Sequence, residues 1–235
     1  MTAGSPRFAD IIGTLNRHAD FASRFVEPRN VDVWLPPGYA LEGAPRLPVI
    51  YMHDGQNLFD PQTAYGGVDW GIDEAIARLA KKGRVREAIV VGIWNTDRRW
   101  PEYMPGEALE LPTGRRVKSW FAQEFGGQPI SDDYLRFVVQ ELKPFVDGKY
   151  RTSPDRENTF VMGSSMGGLI SLYALCKYPG VFGGAGCVST HWPAGEGIVI
   201  EYLRKALPKP GAHRIYFDHG TQTLDASYEI PATSG

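Results

Sequence analysis

Thr159-Phe160-Val161-Met162-Gly163-Ser164-Ser165-Met166-Gly167-Gly168-Leu169-Ile170-Ser171-Leu172-Tyr173-Ala174-Leu175-Cys176 is the stretch that decides how the rest of the chain is read. It opens on β-branched and apolar residues, turns through Gly163-Ser164-Ser165-Met166-Gly167, and continues into an apolar, helix-like run. A strand, a sharp turn and a helix in that order are the setting in which G-x-S-x-G presents its central serine as an exposed nucleophile. Such a turn strains the serine backbone, and side chains at Gly163 and Gly167 are expected to collide with the adjacent strand and helix. The pattern by itself also fits an ordinary strand-to-helix turn. The flanking periodicity favours the nucleophile reading.

The same alternation of strand and helix recurs on both sides of this stretch. Leu47 to Met52 (LPVIYM) and Glu87 to Trp94 (EAIVVGIW) are continuous apolar runs, which predicts strands buried on both faces. Between them, Asp69 is positioned as a helix N-cap, Ile72, Ala75, Ile76 and Leu79 share one face, and Lys81-Lys82-Gly83 marks the stop. Asn95 to Pro129 has no sustained period and is expected to run as a long excursion over the domain, forming a lid or pocket wall. Ser131 is expected to cap a helix carrying Leu135, Val138, Leu142 and Phe145, with a kink near Pro144. After the serine turn, Gly183 to Ser189 reads as a strand, Glu196 to Leu207 as a helix and His213 to Asp218 as a further strand. At the N-terminal side, Phe8 to Leu15, Phe21 to Val26 and Asn30 to Leu35 form a leading set of antiparallel strands. The fold class is therefore α/β, with a doubly wound, mostly parallel sheet and ligand loops beyond its C-terminal strand ends. Residues 1–235 read as one domain.

Composition narrows the function classes. A net charge of −2 over 235 residues gives no basic footprint for nucleic acid or an anionic membrane, so a small-molecule partner is expected. Cys176 and Cys187 fall in apolar elements and are expected as buried free thiols. No apolar leader or membrane-length segment is read, which gives a cytoplasmic expectation, with secretion after leader removal as the alternative. No nucleotide-binding glycine motif and no structural-zinc spacing occurs, so cofactor-free chemistry without a metal is expected.

A serine hydroxyl needs a base, a group that orients the base, and donors for the oxyanion that develops on the substrate. The backbone N–H of Met166, at a helix N-terminus, suits one donor. The second is expected from Gln56, where Gly55 lets the backbone turn its amides inward. Asp54 and Asp60 read as Asx-turn residues of that loop. Asn57, Trp94, His191 and Trp192 are candidate pocket residues, and His191 is the best in-chain substitute base. His53 is expected to be structural, and His18 and His213 to be surface or edge residues.

Asn30 to Pro37 (NVDVWLPP), Tyr51 to Asp60 (YMHDGQNLFD), the GSSMGG turn and Gly220 to Asp225 (GTQTLD) together resemble the esterase D, feruloyl esterase and siderophore esterase branch of the α/β-hydrolases. That resemblance spans nearly the whole chain. It implies Ser165 as nucleophile, Asp225 as triad acid, and backbone donors at Gln56 and Met166. Asn95 to Pro105, with Arg98, Arg99, Glu102 and Tyr103, is similar to the pocket segment of the siderophore and feruloyl esterases. The family order is Ser, Asp, His, yet no histidine follows His219, so the expectation is a chain truncated before the catalytic histidine or a base supplied from elsewhere. A serine carboxylesterase for short-chain or aromatic acyl esters is the leading reading. A ligand-binding scaffold without turnover and an acyltransferase are the alternatives. A missing terminal strand and helix would also leave an edge through which two copies could pair.

Overall fold

The computed structural model describes residues 11–220. Seven strands form one mixed sheet in the order β1-β2-β4-β3-β5-β6-β7. They are β1 (Thr14–Phe21), β2 (Arg29–Leu35), β3 (Val49–His53), β4 (Ile89–Ile93), β5 (Thr159–Ser164), β6 (Gly184–Val188) and β7 (Arg214–Phe217). β1, β2 and β4 pair antiparallel. From β4 through β3, β5 and β6 to β7 every pairing is parallel.

Side-chain alternation divides the core between two faces. Val49, Tyr51, Val91, Ile93 and Val161 belong to the larger apolar cluster, whereas Met52 and Val90 belong to a smaller one with Trp34, Leu58 and Phe59. Against the smaller cluster packs α1 (Ile72–Lys81), through Ile72 and Ile76. The other face is covered by α2 (Arg99–Tyr103), α3 (Gly106–Leu109), α4 (Arg115–Phe125), α5 (Ser131–Arg136), α6 (Lys143–Lys149), α7 (Met166–Lys177) and α8 (Ile198–Ala206). The near-continuous apolar character of α7 follows from this arrangement, because it is buried over ten consecutive residues, Met166 to Leu175.

Several expectations need correction. Phe21 to Val26 is not a strand: β1 ends at Phe21, after Asp20 adopts a positive φ of 48° and the pairing register shifts. His18 lies on the edge strand β1, and its Nε2 is 2.7 Å from the Tyr150 hydroxyl. Asn95 to Pro129 is largely helical, containing α2, α3 and α4, whose short lengths hide their period. The N-cap of α1 is Gly71, with φ 57°, and not Asp69. Ser131 is the first residue of α5, and its hydroxyl accepts the Gly106 N–H at 3.0 Å. The irregularity expected at Pro144 falls one turn earlier, as a π-helical segment over Phe137–Leu142. Cys176 and Cys187 are free, as expected. Among the described residues, no helix is long and apolar enough to cross a membrane.

Candidate active site

The C-terminal ends of β3, β5 and β6 bring three loops together around Ser165. The residue sits between β5 and α7 with φ 59° and ψ −119°, a conformation that L-residues rarely adopt. Its backbone is held on every side. The Ser165 N–H donates to the Val188 carbonyl at 3.0 Å, and its own carbonyl accepts N–H groups from Gly168 (3.0 Å), Leu169 (3.3 Å) and His191 (3.2 Å). Strain at Ser165 is thus maintained by bonds to both α7 and the loop after β6.

The two motif glycines do different work. A Cβ at Gly163 would lie 2.7 Å from the Gly167 backbone, an impossible contact. At Gly167 the closest atoms would be Asp54 Oδ2 at 3.4 Å and His53 Cβ at 3.5 Å, which is ordinary contact. The expected collision is therefore real at Gly163, while Gly167 leaves room for a methyl group. The Gly167 position shows how closely the serine turn lies against the end of β3.

After β3, Asp54 adopts φ 59° and ψ 46°, starting the tight turn Gly55–Asn57. Gly55 is required here by close approach, because a Cβ would fall 2.4 Å from the Gly92 carbonyl carbon on β4. Asp54 does not act as an Asx-turn residue, in contrast to Asp60, whose Oδ1 accepts the Gln62 N–H at 2.8 Å. Its buried carboxylate instead accepts Arg99 Nε at 2.7 Å, Arg99 Nη2 at 2.8 Å and Asn95 Nδ2 at 2.6 Å. The Asn95 N–H also donates to Gln56 Oε1 at 3.2 Å. Asn57 organises the same loop, its Oδ1 accepting the Tyr65 N–H and its carbonyl the Trp70 N–H, both at 2.8 Å. Among the described residues, neither the Gln56 nor the Met166 backbone N–H donates to a protein acceptor.

Below this loop lies a buried polar layer. His53 is fully buried, its Nδ1 is 2.7 Å from the Tyr134 hydroxyl, and its Nε2 is unpartnered. Burial lowers its pKa to about 4, with the Asp54 charge raising it and the Arg99 charge lowering it further. Tyr103 and Tyr134 stand against its ring at 5.3 and 5.6 Å. Arg29 and Glu102, 1% and 0% exposed, form a two-point ion pair of 2.7 and 2.5 Å in the same layer. Glu102 and Tyr103 are therefore interior residues, not pocket lining.

Aromatic side chains border the serine on its other flank. The His191 ring meets Trp100 edge-on at 5.7 Å, Trp100 stacks on Phe125 at 5.5 Å, and Trp192 lies 5.7 Å from Phe217. Trp94 is engaged elsewhere: its Nε1 donates to Asp32 at 2.8 Å and the Arg17 guanidinium lies 4.6 Å over its ring. Asp225 lies outside the described residues. Sequence reading missed the Asp54, Asn95 and Arg99 cluster, because its members are more than forty residues apart in part and nothing local marks the pairing.

A mostly parallel sheet with helices on both faces and a serine turn at the C-terminal strand edge defines the α/β-hydrolase fold. Residues 22–232 match the family described as "Putative esterase", and the chain belongs to that family of ester hydrolases. It is 28% identical over 213 residues to the uncharacterized protein YbbA of Bacillus subtilis, a match covering 89% of this chain and 72% of YbbA. It is 29% identical over 154 residues to the ferri-bacillibactin esterase BesA of the same organism, covering 62% of this chain and 48% of BesA. The enterobactin esterase FES of Shigella flexneri has a similar fold, with a TM-score of 0.60 at 19% identity, covering 88% of this chain and 45% of that one. The chain thus spans about half the length of BesA and of the Shigella esterase.

Proposed function

We propose that this chain is a serine carboxylesterase acting on short-chain or aromatic acyl esters, with Ser165 as nucleophile. The observation that carries the reading is the strained Ser165 backbone at the start of a twelve-residue helix. In the reaction, Ser165 Oγ attacks the ester carbonyl carbon as its proton passes to a base, and the tetrahedral intermediate expels the alcohol. Water then releases the acid from the acyl-serine. The N–H groups of Met166 and Gln56 receive the negative oxygen, each lowering the barrier by about 3 kcal/mol. An aromatic surround of Trp100, His191 and Trp192 suits an apolar or aromatic acyl group. The name of BesA, a ferri-bacillibactin esterase, gives further support for ester hydrolysis.

A fluorophosphonate probe tests the assignment. Labelling mapped to Ser165, with p-nitrophenyl acetate hydrolysis that disappears in Ser165→Ala, is the expected outcome. A folded chain that neither reacts with the probe nor turns over the ester supports a binding scaffold instead. His191→Ala separates two roles for that residue. Loss of kcat by about 10²–10⁴ with loss of the acid limb of the pH profile marks a base, whereas a change confined to KM marks a pocket wall.

A further inference from the structure

Three carboxylates gather where the segment after β3 turns into α1. One carboxylate oxygen from each of Asp69, Asp73 and Glu74 lies within 4.8 Å of the others. Acidic residues in a first helical turn complement the helix dipole, so the grouping alone does not point to a ligand. Asp73 supplies a second observation. Its side chain is buried at 1% exposure, Oδ2 accepts the Ile12 N–H at 2.8 Å, and Oδ1 has no hydrogen-bond partner. Among the described residues, no Lys or Arg forms an ion pair with any of the three. A buried carboxylate oxygen beside two further carboxylates, with neither donor nor cation, is costly.

We propose that Asp69, Asp73 and Glu74 bind a hard divalent cation of the Ca²⁺ type that ties the loop after β3 to the first turn of α1. An all-carboxylate set selects hard cations, and protein carboxylates suit Ca²⁺, with its about six to eight flexibly placed oxygen ligands, better than Mg²⁺, which demands near-ideal octahedral geometry and keeps several of its waters. Water completes the coordination shell. The ion would act on structure. Trp70, next to Asp69, donates its N–H to the Asn57 carbonyl at 2.8 Å, and the Ile72 N–H donates to the Leu58 carbonyl at 3.3 Å. Fixing the three carboxylates therefore fixes the segment that immediately follows Gln56.

Tb³⁺ luminescence on the chelator-treated full chain tests this directly, because Trp70 adjoins Asp69 and sensitises a bound lanthanide. Saturable emission that Ca²⁺ displaces, together with a higher Tm in Ca²⁺, is expected. Asp73→Asn should weaken Ca²⁺ binding at least about tenfold, and Glu74→Gln, an exposed change that leaves folding intact, should also weaken it. The proposal is overturned by no saturable emission and no Tm shift at millimolar Ca²⁺, or by unchanged affinity in a folded Glu74→Gln chain. Displacement by Mg²⁺ as effective as by Ca²⁺ overturns the assigned cation class. Stability that rises as pH falls, with no response to Ca²⁺, shows a proton shared by Asp73 and Glu74 in place of the ion and overturns the proposal.

Discussion

Arg99 forks onto Asp54 through hydrogen bonds of 2.7 and 2.8 Å, joining the start of α2 to the loop after β3 immediately ahead of Gly55 and Gln56. Because Asp54 is buried and its turn carries the proposed oxyanion donor, the pair couples stability to catalysis. Among the described residues, Arg99→Ala leaves the carboxylate with only Asn95 as a side-chain hydrogen-bond donor. Breaking a buried pair costs about 3–5 kcal/mol, and the 26% exposure of Arg99 places this one near the lower end. Urea unfolding should show that loss. Ester kinetics should show a fall in kcat larger than the change in KM, partly restored by Arg99→Lys.

His53 sets a pH dependence with a definite sign. Burial, its largest cause, holds the folded imidazole at about 4, against 6.5 when unfolded. Above about 6.5 both states are neutral and the contribution is complete. As pH falls towards 4, the unfolded chain takes up a proton that the folded chain refuses, and stability drops by up to about 3 kcal/mol. The difference in unfolding free energy between the parent and His53→Gln, measured from pH 7.5 to pH 4.5, should narrow as the pH is lowered. A constant difference across that range would remove His53 from the account.

Gly163→Ala and Gly167→Ala should behave differently despite their symmetry in the motif. The first drives a methyl group to 2.7 Å from the Gly167 backbone and should cost about 1–3 kcal/mol or more. The second meets only ordinary contacts, so its stability should stay within about 1 kcal/mol of the parent. Thermal denaturation of the two variants side by side checks the contrast.

Glu102→Gln should destabilise the chain by about 3–5 kcal/mol, because Arg29 is left charged in a site 1% exposed. Arg29→Met combined with Glu102→Leu should recover most of that loss. The parent pair should also be insensitive to added salt, since no solvent reaches it to screen the charges. Denaturant titrations of the single and double variants in low and high salt test both points.

The sheet was legible in the sequence because its strands advertise themselves locally. LPVIYM, EAIVVGIW and TFVMG are apolar runs that only a two-sided burial explains, and they became β3, β4 and β5. The serine turn was legible for a related reason: Gly163 and Ser165 are adjacent to the strand and helix that constrain them. What stayed hidden depends on pairs distant in sequence. Arg29 and Glu102 are 73 positions apart, and Asp54 and Arg99 are 45 apart, so neither charge reads as buried until the fold closes. The helices α2 and α3, of five and four residues, are too short to establish a period.

The polar layer beneath the serine loops also bears on how the protein opens. Arg29 on β2, His53 on β3, Glu102 and Tyr103 on α2, and Tyr134 on α5 are joined by hydrogen bonds or ring contacts. Releasing any one element would strand a buried charge or ring nitrogen belonging to another. Amide hydrogen exchange in α2 and in the turn after β3 should therefore follow the slow opening of the central strands, although both segments lie at the surface end of the sheet. The mouth of the site is, in that sense, part of the most slowly exchanging unit of the molecule.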